Sequence, residues 1–88
     1  MKYFWFVVYT PFVGEDKDVF IAAEDYEVAK VKAADAAGEN GMEWCDETTL
    51  EDYDMTEEDY YGQCSYDFKK EITDITYNEM IMEGEWCI

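Results

Sequence analysis

Lys2-Tyr3-Phe4-Trp5-Phe6-Val7-Val8-Tyr9-Thr10-Pro11 is the stretch on which the fold turns. Aromatic and β-branched residues in unbroken succession suit a strand covered on both faces, or nearly so. Pro11 has no amide to give a ladder and marks the strand's end. Gly14-Glu15-Asp16-Lys17-Asp18 reads as a turn, and Val19 to Ala23 as a second short strand. The segment between them is too short for a crossover helix, so the two strands are expected to form an antiparallel hairpin. The apolar run Tyr3 to Tyr9 is far shorter than the ~20 residues a helix needs to cross a bilayer. No small-residue cleavage site follows it, so it does not read as a signal peptide.

Working outward, the hairpin needs cover on a face. Asp25 is a good helix N-cap, and Glu27 falls in the first turn, where a negative charge suits the dipole. Val28, Ala29, Val31, Ala33, Ala34, Ala36 and Ala37 supply helix propensity and a thin apolar face. The expectation is a helix from Glu24 or Asp25 to about Ala37, packed closely on the aromatic sheet. Gly38 and Gly41 then read as C-cap positions.

In the middle segment, Thr49-Leu50-Glu51-Asp52 and Thr56-Glu57-Glu58-Asp59 both look like helix starts, each with a Thr cap and acids in the first turn. One or two short helical turns are expected, or a single helix over Thr56 to Gly62. Further on, Tyr66, Phe68, Ile72, Ile75, Tyr77, Met80 and Met82 alternate imperfectly. Two strands, near Ser65 to Thr73 and Thr76 to Glu83, fit that pattern. A helix over Ile72 to Met82 fits the same residues at helical spacing. Trp86 and Ile88 are expected to pack the terminus down. The fold class is therefore α+β. One acidic domain over residues 1–88 carries a small antiparallel sheet of three to four strands, one main helix on one face, and a short acidic helical segment.

Charge is the second decisive property. The chain holds 23 Asp and Glu against six Lys, with no Arg and no His, for a formal net charge of −17. From Ala33 to Phe68 there are twelve acidic residues and no basic one. Such a stretch cannot neutralise itself locally, and its self-repulsion opposes the compact state. The 49% apolar and 18% aromatic content nevertheless supplies a core, which separates the chain from disordered acidic sequences. A partner with a strongly positive surface would offset the repulsion.

Catalytic chemistry finds little footing. There is no His for general-base work, no Gly-rich phosphate loop, and no Arg to hold an anionic substrate. Asp52-x-Asp54-x-Thr56-x-Glu58 opens like a calcium loop, but Glu57 stands where Gly is needed and Gln63 where a bidentate Glu is needed. Cys45, Cys64 and Cys87 are widely spaced, and no His completes a zinc site; free thiols in a reducing cytosol are the expectation. The sequence thus reads as a non-enzyme with no cofactor and no metal.

The candidate site is the acidic middle. Asp46, Glu47, Glu51, Asp52, Asp54, Glu57, Glu58 and Asp59 crowd fourteen positions, with Tyr60 and Tyr61 as flat anchors beside them. Carboxylates at i and i+4 of a helix are separated by ~6 Å of rise, and at i and i+2 of a strand by ~6.6 Å. Both are comparable with the spacing of phosphates along a nucleic-acid strand, so the acids can present a phosphate-like row to Lys and Arg. Tyr53 and Tyr66 are further candidates for flat contact area.

In size, charge and aromatic content, and in the Ala33 to Phe68 acidic block, the chain resembles the small acidic inhibitors encoded by phages and mobile elements. These include DNA mimics that block restriction enzymes or uracil-DNA glycosylase, and several anti-CRISPR proteins. The resemblance implies a stoichiometric inhibitor that occupies the basic groove of a nucleic-acid-binding protein inside a host bacterial cytoplasm. A CRISPR effector is the first choice of target, because its PAM-reading site and guide channel are rich in Arg and Lys. The inhibitor would be a monomer or homodimer that binds neither nucleic acid nor membrane directly. The alternative is an acidic adaptor that binds a basic partner away from its nucleic-acid site.

Overall fold

The computed structural model describes residues 1–9, 16–43, 47–52, 54–56, 58–59 and 64–88, with backbone only at 42–43 and 47–49. Strands β1 (Lys2–Tyr9), β2 (Asp16–Ala23) and β3 (Ser65–Ile72) form one antiparallel sheet in the order β2-β1-β3. Helices α1 (Tyr26–Glu43), α2 (Glu47–Asp52) and α3 (Asp74–Met82) complete the described elements. The α+β class and the central hairpin expected from the sequence are present.

β1 takes the middle of the sheet and carries apolar side chains on both faces along nearly its whole length. Phe4, Phe6 and Val8 are buried on one face, while Tyr3, Trp5 and Val7 are half-buried on the other. β2 adds Val19, Ile21 and Ala23 to the first face, in register with Phe6, Phe4 and Lys2. It begins at Asp16, three residues before the expected Val19. The charged triplet Asp16-Lys17-Asp18 pairs with Tyr9, Val8 and Val7, so the ladder extends beyond the apolar run.

α1 lies over the buried face. Its inward positions are Ala29, Ala33, Ala36, Ala37 and Asn40, spaced three and four apart. Small side chains let the helix settle closely on Phe4 and Phe6, and Ala29, Ala33 and Ala37 join their cluster. The Asp25 carboxylate accepts the Val28 amide at 2.9 Å and caps the start as expected. The end is corrected: α1 continues six residues past Ala37, and Gly38 and Gly41 lie inside it, buried, not at its cap.

The C-terminal part requires the main correction. The expected strand over Thr76 to Glu83 is helix α3, as the competing helical spacing allowed. Thr73 decides this, because its Oγ1 accepts the Thr76 amide at 3.1 Å and caps the first turn. Gly84, with φ 80°, ends the helix. α3 sits on the face opposite α1, held by Tyr77, whose ring lies 4.7 Å from that of Tyr3 and whose hydroxyl donates to the Ile88 carbonyl at 3.2 Å.

The terminus packs down as expected and also extends the sheet. The Phe20 amide donates to Trp86, the Ala22 amide to Ile88, and the Ile88 amide back to Phe20, all at 2.8–2.9 Å. A parallel bridge thus forms between Phe20 and Cys87 and covers the outer edge of β2. The other edge, β3, carries a bulge opposite Trp5/Phe6 and the pair Lys69-Lys70, two devices that discourage further strand pairing. No described helix is long and apolar enough to cross a membrane.

Candidate functional site: an uncompensated acidic surface

Every carboxylate whose side chain is described is exposed. Against them the described residues form a single ion pair, Lys30 to Glu27 at 3.2 Å. Four of the six lysines make contacts with backbone or rings. Lys32 Nζ donates to the Ala22 carbonyl at 2.8 Å and ties α1 to β2. Lys17, Lys30 and Lys70 stand over the rings of Trp86, Tyr26 and Trp5, at 5.1, 5.5 and 5.8 Å. Glu27 holds the Lys30 ammonium above its ordinary pKa, by hydrogen bond and by charge. The scarce positive charge therefore serves the sheet and the start of α1 and leaves the rest of the surface negative. With overall extents of 44 × 26 × 16 Å, acids across the thin dimension are about two Debye lengths apart at physiological salt.

The helix ends strengthen that field. None of the three helices has a basic residue in its last turn. Glu43 lies there in α1, Glu51 and Asp52 in α2, and Glu79 in α3. The C-terminus of a helix carries partial negative charge, so each of these acids stands where the dipole disfavours it, by about 0.3–1 kcal/mol. At these C-terminal ends peptide dipole and carboxylate add with one sign, whereas Glu27 and Asp74 oppose the dipole at the first turns of α1 and α3.

The acidic middle is described in part. Glu51 and Asp52 are exposed on the last turn of α2, and Glu47 opens that helix. α2 begins two residues before Thr49, so the expected Thr49 cap is inside the helix. Asp54 is exposed immediately after it, with φ 52°. Glu58 and Asp59 are exposed on a helical turn whose start Thr56 caps, accepting the Asp59 amide at 3.2 Å. Asp46, Glu57, Tyr60 and Tyr61 lie outside the described residues, as do Tyr53 and the expected continuation to Gly62. The segment is pinned underneath by Leu50, 6% exposed, with Met55 and Cys64 against it. Tyr66 is half-buried, with its ring 5.9 Å from Phe6, at the core's edge.

Two features escaped the sequence reading. Asp16, Asp18, Glu39 and Glu85 converge on an open cleft of about 850 Å³ whose wall is Trp86, with Lys17 above it. These acids are scattered along the chain, and only the tail's pairing with β2 brings them together. The second is the outward side of α3, concealed when its residues are counted as a strand. Among the described residues, no three His, Cys, Asp or Glu gather closely enough to hold a metal ion. No disulfide joins Cys64 to Cys87, and Cys45 lies outside the described residues. Burial, with the neighbouring Glu85 charge, pushes the Cys87 thiol above its ordinary pKa, which makes it a poor nucleophile at neutral pH.

Comparison with known protein families, with characterised proteins and with solved structures gives no match for this chain.

Proposed function

We propose that this protein is a nucleic-acid-mimicking inhibitor, which occupies the basic groove of a nucleic-acid-binding enzyme of bacterial defence. It acts in the bacterial cytoplasm, and the first choice of target is an RNA-guided CRISPR effector. One observation carries the reading: every carboxylate with a described side chain is exposed, and a single ion pair among the described residues compensates them. Such a surface keeps its negative potential at the cost of self-repulsion, which is the requirement of a surface that competes with phosphates for Lys and Arg. Glu47, Glu51, Asp52, Asp54, Glu58 and Asp59 supply the contact row, together with Asp46 and Glu57. Tyr60 and Tyr61 supply flat anchors.

The test is equilibrium competition. A fluorescent duplex carrying a PAM and a matching target is bound to a guide-loaded, cleavage-dead CRISPR nuclease. The protein is then titrated in, and the same titration is run on uracil-DNA glycosylase and a restriction enzyme. The expected result is displacement from at least one of these enzymes, with apparent affinity falling in proportion to added duplex. Binding that leaves the duplex in place contradicts the mimic and makes the protein an adaptor.

A further inference from the structure

We propose that the outward face of α3 is a docking surface for an apolar partner segment flanked by Lys or Arg, of which a basic amphipathic helix is the simplest form. α3 is attached to the sheet through Tyr77, Met80 is half-buried, and none of its residues is fully buried. Its free side presents Ile75, Ile81 and Met82, which are 68%, 50% and 86% exposed. Ile75 and Met82 are seven residues apart and so share one helix face, while Ile81 stands about 100° round the helix from Met82, on the flank of that face. The helix is capped at both ends, so its backbone holds the three positions in a fixed relation to one another. Scattered apolar residues on a surface need no explanation; two on one face of a short, capped helix, with a third on its flank, concentrate apolar area on the outward side of α3.

Charge selects the occupant. Asp74, Glu79 and Glu83 border the patch, all exposed, and the helix contains no basic residue. An apolar centre within a charged rim matches the anatomy of protein interfaces, and this rim calls for a cationic counterpart. A second copy would set a net charge of −17 against −17, and an anionic lipid surface would be repelled as well. The flexible Met82 adapts to the shape of what it meets.

The surface is separate from the acidic row. α3 docks at the Tyr3 end of β1, whereas Ser65, next to the Cys64 that supports Leu50, pairs with Tyr9 at the other end. Six residues of strand put these ends about 20 Å apart. The inference rests on the proposed function only in its expectation of a basic partner. Its test contains no nucleic acid, so failure of the competition experiment leaves this result standing on its own.

Two synthetic peptides of identical Lys and Leu composition serve as probes. One forms an amphipathic helix with a Leu stripe flanked by Lys; the other is scrambled so that no stripe exists. Anisotropy is read with the full chain at about 0.15 M salt, where long-range attraction is already screened. The amphipathic peptide is expected to bind at least about tenfold more tightly, a difference of about 1.4 kcal/mol. Ile75→Ser, Ile81→Ser and Met82→Ser together should erase that preference while leaving the scrambled peptide's affinity within about twofold. Equal binding of the two peptides to the unmodified protein overturns the proposal, as does a preference that survives the triple substitution. Amide shifts on the unmodified protein guard against misfolding of the variant. Shifts at residues 75–82 support the proposal, and shifts confined to residues 46–59 overturn it. A dimer of the unmodified protein that the triple substitution abolishes assigns the face to a second copy and overturns it too.

Discussion

The Met55 amide donates to the Leu50 carbonyl across 2.9 Å, and the side chains of the same two residues pack together under the acidic middle. One residue earlier, the Asp54 amide donates to the Glu51 carbonyl at 3.0 Å, with Asp54 at φ 52°. This pair of bonds, with an apolar contact across them, is the Schellman ending of a helix. α3 ends by the same pair of bonds: Glu85 to Met80 at 3.0 Å and Gly84 to Ile81 at 3.1 Å, with Gly84 at φ 80°. The chain therefore makes one turn twice, once with the residue that suits it and once with an acid.

That pairing gives a stability prediction of opposite signs. Asp54→Gly should raise stability by about 0.5–1 kcal/mol, since Gly adopts the left-handed conformation without strain. Gly84→Ala should lower it by about the same amount; nothing lies within 4 Å of an added Cβ, so the loss is one of backbone conformation alone. Thermal unfolding reads both, at about 4–8 °C per kcal/mol in a domain of this size. A lower melting temperature for Asp54→Gly would show that the Asp54 side chain stabilises the turn.

Thr73→Ala should destabilise by about 1 kcal/mol, because the Thr76 amide loses its acceptor. The loss should be concentrated in α3, which opens ahead of the sheet. Hydrogen exchange should show faster amides at residues 76–82 and unchanged ones in β1. Uniform acceleration across the sheet would contradict the local role.

Salt should stabilise. With a single described ion pair to weaken and many exposed carboxylates to screen, raising NaCl from about 0.05 to about 0.5 M should raise the melting temperature. A fall would mean that unrecognised attractions outweigh the repulsion.

Alkaline pH should destabilise. Burial raises the Tyr77 hydroxyl, and burial with Glu85 raises the Cys87 thiol, both above their ordinary values. The folded chain then holds protons that the unfolded chain releases earlier. Their contribution is complete below the unfolded pKa values and is lost as pH rises through the folded ones, from about pH 8.5 upward. Urea unfolding across that range should show a declining midpoint, and Tyr77→Phe with Cys87→Ser should flatten the decline. An undiminished slope in the double variant would assign it to other groups.

The hairpin was legible because Tyr3 to Tyr9 admits no competing structure, and the start of α1 because Asp25 announces it. The C-terminal helix was ambiguous because Ile72, Ile75, Tyr77, Met80 and Met82 satisfy both periods about equally. Thr73 and Gly84 decided between them through bonds made at the two ends. Gly38 and Gly41 misled because glycine is tolerated inside a helix as well as at its end, and α1 runs on to Glu43. The exposure of the acids followed from composition. Their position against the helix dipoles did not, because it depends on where each helix stops. The packing of Tyr66 on Phe6 was not legible, because an aromatic in a strand looks the same whichever neighbour it meets.

The central claim is that the carboxylates of the acidic middle stand in for phosphates. Its most direct test is the association rate with whichever enzyme the protein displaces from duplex DNA. The comparison is between the unmodified chain, a variant carrying Glu51→Lys, Asp52→Lys, Glu58→Lys and Asp59→Lys, and a control carrying Glu15→Lys and Asp16→Lys. Reversal in the row places like charges against a basic groove, at on the order of one to several kcal/mol per repelled contact. The account predicts a fall of at least about tenfold in association rate for the row variant, with folding intact because self-repulsion is reduced, and a change within about twofold for the control. Loss of association in the control with retention in the row variant would contradict it.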